Sequence, residues 1–134
     1  MAPYTAPFMK TPLFILNSLA DAWQLGNIVR LPCIHAGHTV NCSAAELAAL
    51  RNFRTVELAL VQPVLNQPGV GAFLDTCIIH GEENHDARWV NQTVGGQKLR
   101  DTIWFWVTGE GRAGLKPQVV DGVYPCNDNC QDGW

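Results

Sequence analysis

Positive charge is sparse in this chain: nine Lys and Arg stand against twelve Asp and Glu, a net charge of −3 over 134 residues with a pI near 5.7. No Lys/Arg cluster occurs, which argues against a nucleic acid or an anionic membrane as partner. No apolar run approaches the ~20 residues that cross a bilayer, so no membrane span is expected. There is no internal repeat, low-complexity tract or heptad pattern. Serine is scarce as well, with Ser18 and Ser43 the only two. Neither stands in a G-x-S-x-G elbow, and no glycine-rich stretch precedes them to supply an oxyanion hole. These residues alone therefore cannot make a complete serine hydrolase.

What is present is a 47% hydrophobic chain of the size of one compact domain, able to bury roughly two thirds of its unfolded surface. Five cysteines, Cys33, Cys42, Cys77, Cys126 and Cys130, are more than a cytosolic protein of this length keeps. They suit disulfides in an oxidising compartment and predict a secreted protein. The sequons Asn41-Cys42-Ser43 and Asn91-Gln92-Thr93 agree with export. Cys33 and Cys42 enclose a short loop and are expected to bond to each other, and Cys77 is expected to bond either Cys126 or Cys130. The odd count leaves one thiol over, either buried and free or paired with a cysteine outside this chain.

The stretch "PLFILNSLADAWQL", residues 12–25, has two readings. It has the outline of a signal peptide, with Lys10 before an apolar run and small residues after it. It also has the outline of a buried strand ending in Asp21. Pro3, Pro7 and Pro12 before the run, and Asn17 and Ser18 within it, favour the strand, Leu13 to Asn17. Ser43-Ala44-Ala45-Glu46 reads as a capping box opening a helix to about Val61, with Leu47, Leu50, Phe53 and Leu60 on its apolar face. Then "VGAFLDTCIIH" reads as a second buried strand, Val70 to Cys77, with His80 just past its end. A crossover of this length makes the two strands parallel. Leu99, Thr102, Ile103 and Trp106 are spaced for a further helix, stopped by Gly109 and Gly111, and the tail from Pro117 reads as turns stapled by cystine. Two parallel strands make no stable open sheet, so this looks like the edge of a larger α/β fold.

Three constellations carry possible chemistry. Cys33, His35 and His38 stand close together in "CIHAGH", and His80 and His85 are near enough in sequence to complete a zinc site. The obvious partner of Cys33 is Cys42, however, so no metal or other cofactor is expected. Cys77 precedes His80 by three residues, in the manner of a thiol and its base, but a cysteine inside a buried strand is expected to be structural. The strongest pair is Asp21 and His80, each directly after a strand of one parallel sheet. The carboxyl ends of such strands are where catalytic groups gather. Acid followed by histidine is also what remains of the Ser, acid, His order once the serine is taken away. The plainer alternative is that Asp21 caps a helix and His80 is an ordinary loop residue.

"LFILNSLADAWQLGNI", "NCSAAELAALRNFR", "GAFLDTCIIH" and "YPCNDNC", in this order from about Leu13 onward, resemble the C-terminal part of the pectin acetylesterase and Notum family of secreted carboxylesterases. The resemblance implies that Asp21, in a D-x-x-Q stretch, and His80, in a C-x-x-H stretch, are the acid and base of a Ser-Asp-His triad. It also implies that residues 1–134 are the C-terminal part of an α/β-hydrolase-type domain without the nucleophile half. The expected substrate is an acetylated pectin-like polysaccharide of the cell wall or, in the Notum branch, an acylated protein. Cys33, Cys42, Cys126 and Cys130 fall on family cysteine positions. Plant-type members carry two more, at the positions of Gly81 and Gly122 here; both are absent together, as a single bridge between them would require. On this reading the chain alone is inactive. The alternative from another class is a small secreted, disulfide-stapled interaction module without catalysis.

Overall fold

The computed structural model describes residues 2–35, 38–81, 86–111, 113–126 and 130. A short helix α1 (Ala2–Thr5) and a 3-10 turn lead into β1 (Phe14–Ser18), helix α2 (Ala22–Asn27) and a small antiparallel ladder, β2 (Ile34–His35) with β3 (His38–Thr39). The long helix α3 (Ala44–Leu65) carries the chain to β4 (Gly71–Asp75). Beyond it lie α4 (Asp86–Asn91), a second small ladder of β5 (Thr93–Val94) and β6 (Gln97–Lys98), helix α5 (Leu99–Thr108) and strand β7 (Gln118–Val120). The main sheet has the order β1-β4-β7 and is parallel throughout, with Phe14 opposite Gly71, Ser18 opposite Asp75, and Leu74 opposite Val120.

All five residues of the central strand β4 are buried, which is why it reads as a continuous apolar run with no alternation. Its side chains alternate between two cores. Ala72 and Leu74 face Val64 and Leu65 of α3, and Phe73 packs with Leu99, Phe14 and Val119 on the α5 side. The sheet is thus covered on both faces, as a parallel sheet requires. A third cluster, with Ala20, Leu25, Leu50 and Ile78, lies under the loops that follow β1 and β4. Gly71 sits where a Cβ would lie 2.5 Å from the Phe14 ring and 2.6 Å from Trp106, so the crossing of that ring pair against β4 needs a glycine.

The parallel βαβ unit is present as expected, and the mixed α/β architecture is compatible with part of an α/β-hydrolase-like fold. Strand β1 lies one residue later than expected, at Phe14–Ser18, β4 starts at Gly71 rather than Val70, and three larger differences stand beside these. The capping box opens α3 as expected, but the helix runs past Val61 and through Pro63 to Leu65. The last turn is held because Val64 and Leu65 are buried, while the carbonyl that Pro63 leaves unbonded, on Ala59, is at an exposed position. Strand β4 ends at Asp75, short of Cys77, because the Asp75 side chain accepts the Cys77 amide at 2.9 Å and turns the chain. The tail is not all turns, since Gln118–Val120 adds the third strand. Gly109 ends α5 in the left-handed region, φ 71°, where glycine is favoured.

Candidate active site

The loops after β1 and β4 are fastened to each other before any ionisable group enters. The ladder continues with Leu19 N–H donating to Asp75 C=O at 2.8 Å and Ala22 N–H donating to Ile79 C=O at 3.0 Å. The buried Ser18 hydroxyl donates to the Cys77 carbonyl and accepts the Ala20 amide at 2.9 Å. Cys77 is bonded to Cys130, which pins the tail beneath the same loop. Cys77 is thus structural, as expected, and its sulfur, consumed in the bridge, is no thiol nucleophile for His80. Cys33 is bonded to Cys42, leaving Cys126 as the free thiol, near the surface beside Thr76.

On this base stand Asp21 and His80. One carboxylate oxygen of Asp21, Oδ1, accepts the Gln24 amide at 2.7 Å and caps α2. The other, Oδ2, is 2.8 Å from Nδ1 of His80. The helix-cap role and the histidine contact, posed above as alternatives, are therefore both present, one on each oxygen. The Asp21 side chain is 7% exposed and that of His80 48%, so the acid lies beneath and the ring stands at the surface. An acid bonded to Nδ1 fixes the ring orientation and directs the other nitrogen, Nε2, to proton exchange. On α3, partial burial holds the Glu57 carboxyl above its ordinary range, and the negative charge of Asp21 raises it further.

The remaining sequence candidates do not join this centre. Cys33 is bridged, and His35 pairs with His38 across the β2–β3 ladder. His85 lies outside the described residues. Among the described residues no three His, Cys, Asp or Glu side chains converge on a metal position. Both serines are engaged elsewhere: Ser18 is buried under the loops, and Ser43 Oγ bonds Glu46 at 2.6 Å. Among the described residues no helix is long and apolar enough to cross a membrane.

One residue beside the site escaped the sequence reading. Trp23, on the first turn of α2, has its ring centroid 6.1 Å from that of His80. The signal was its position two residues after the cap, between Ala22 and Gln24 and off the buried side marked by Ala22 and Leu25.

Residues 1–131 match the profile of the pectinacetylesterase family. Pectin acetylesterase 7 of Arabidopsis thaliana is 29% identical over 139 aligned residues, covering 95% of this chain and 34% of that protein. Pectin acetylesterase 11 of the same plant is 28% identical over 114 residues, covering 77% of this chain and 29% of its own length. The chain thus spans about a third of the length of these relatives. No solved structure matches significantly.

Proposed function

Because the chain belongs to the pectinacetylesterase family, we propose that Asp21 and His80 are the acid and base of an ester-hydrolysing triad acting on acetyl groups of a pectin-like polysaccharide outside the cell. The observation that carries this is the 2.8 Å contact of Asp21 Oδ2 with His80 Nδ1 just beyond the carboxyl ends of adjacent parallel strands. The nucleophilic serine and the oxyanion donors come from polypeptide other than these residues, since both serines here are structurally occupied.

In the reaction, His80 Nε2 takes the proton of the serine as its oxygen attacks the acetyl carbon, and Asp21 stabilises the resulting imidazolium. His80 then returns that proton to the departing sugar oxygen. Water, deprotonated by the same nitrogen, releases acetate and frees the serine. The two disulfides fit secretion. The names of the relatives favour a polysaccharide ester over the acyl-protein substrate of the Notum branch. A non-catalytic module, by contrast, would not depend on a buried acid orienting an exposed histidine.

The test joins this chain to the upstream two thirds of pectin acetylesterase 7 and follows acetate release from acetylated pectin. Activity that falls by about 10³-fold or more in His80→Ala supports the reading. Activity that survives both His80→Ala and Asp21→Ala overturns it.

A further inference from the structure

We infer that Trp23 is the shelf on which the sugar ring bearing the ester lies, which makes it the residue that selects a carbohydrate ester at this site; the inference rests on the esterase reading of Asp21 and His80. Trp23 is 47% exposed, which leaves much of its indole open to a partner. The centroids of its indole and of the His80 imidazole are 6.1 Å apart with planes inclined by 32°, so the indole is an immediate neighbour of the proposed base. That separation is roughly the reach from the centre of a pyranose to an acyl group on one of its oxygens. A sugar stacked on the indole therefore presents its ester over the imidazole.

The shelf is rigid. Asp21 caps the turn that carries Trp23, the Ala22 amide is tied to Ile79 of the His80 loop, and the Asn27 side chain donates to the Trp23 carbonyl at 2.9 Å. Among the described residues the indole N–H has no hydrogen-bond partner, so a sugar hydroxyl at the rim can accept from it. The apolar C–H face of a pyranose covers the flat indole, while its hydroxyls stay at the wet edge; this amphipathic match suits tryptophan. A long acyl chain calls instead for an enclosed apolar channel. Among the described residues, an open apolar hollow of roughly 540 Å³, lined by Pro12, Val70, Trp106 and Pro117 among others, lies at the opposite, amino-terminal end of the strands.

The test titrates the full 134-residue chain, labelled at its indole nitrogens and histidine rings, with O-acetylated trigalacturonate while NMR spectra are recorded. Saturable shifts of both the Trp23 indole and His80 signals are expected. Trp23→Ala should weaken the apparent affinity at least tenfold, Trp23→Phe should restore most of it, and Trp104→Ala, an exposed tryptophan on α5, should leave it unchanged. Because Trp23 is half exposed, its truncation leaves no internal cavity, and unchanged signals from the remaining tryptophans verify the fold. Equal affinity in Trp23→Ala overturns the shelf, as does a response to octanoate but not to the oligosaccharide. Failure of the esterase reading shows separately, as sugar binding without any His80-dependent hydrolysis in the joined protein. Hydrolysis of p-nitrophenyl acetate that is indifferent to Trp23→Ala, beside hydrolysis of acetylated pectin that needs Trp23, supports both.

Discussion

Asp21 divides its two oxygens between a helix cap and a histidine, so substitutions can separate the two functions. Asparagine caps helices about as well as aspartate, but its amide cannot hold an imidazolium as a carboxylate does. Asp21→Asn should therefore keep most of the stability, whereas Asp21→Ala should cost about 1 kcal/mol more in urea unfolding through loss of the cap. In the joined enzyme both should lower kcat by about 10⁴-fold. Equal stability of the two variants would show that the cap is idle. The pairing of Asp21 with His80 was legible in the sequence because parallel strands send whatever follows them to one edge. Trp23 was not, because its importance depends on which side of a single helical turn faces the histidine. Gly122 offers a further test at the same scale. A Cβ there would lie 3.3 Å from the Cβ of Cys126 and 3.4 Å from its Sγ, which places position 122 against Cys126. Gly122→Cys should bridge to Cys126 after a shift of a few tenths of an ångström, since bonded cysteines hold their Cβ atoms about 3.5–4.5 Å apart and 3.3 Å is just under that range. Thiol titration of the unfolded, unreduced protein should then fall from one free thiol per chain to none.

Among the elements, α3 was the most legible, because its capping box is written in four consecutive residues. Glu46 accepts the Ser43 amide at 2.7 Å and the Ser43 hydroxyl at 2.6 Å, and these bonds hold its carboxyl below the ordinary value of 4.5. A depressed folded pKa means that the contribution is fully present above the unfolded value and is lost as pH falls through the folded one. The stability gap between wild type and Glu46→Gln should thus be largest near neutral pH and close on acidification below about pH 4. Comparing the two proteins at each pH removes the opposite trend expected from Glu57, whose carboxyl is raised. A gap that stays constant with pH would exclude the ionised capping box. The far end of α3 was misread because a proline normally ends a helix before itself; here two buried residues beyond Pro63 hold one more turn. Strand β7 was invisible because three residues carry no measurable period, and only the exposed edge of β4 gives Gln118–Val120 their extended form.

At the scale of the whole molecule, layers on both faces of one parallel sheet were foreseeable from two buried runs separated by a helix, but the fastening of the tail to the site was open. Spacing alone left Cys77 free to choose between two cysteines four residues apart, and the fold decides for Cys130. The two bridges should contribute unequally. Cys33 and Cys42 are separated by 9 positions and Cys77 and Cys130 by 53. Restriction of the unfolded chain then favours the long bridge, at about 4 kcal/mol against about 2.5 kcal/mol for the short one. Replacing Cys77 with alanine also takes away the sulfur that accepts the Gln92 side chain at 2.9 Å inside the core, which adds to the loss. The pair Cys77→Ala with Cys130→Ala should accordingly unfold at lower urea than Cys33→Ala with Cys42→Ala. It should also blur the His80 ring signals, because Cys77 anchors the loop from which His80 projects. Urea titrations under non-reducing conditions decide the first point and NMR line widths the second. An equal or greater loss from the short bridge, with His80 unchanged, would mean that the tail is a passive appendage and not a brace for the site.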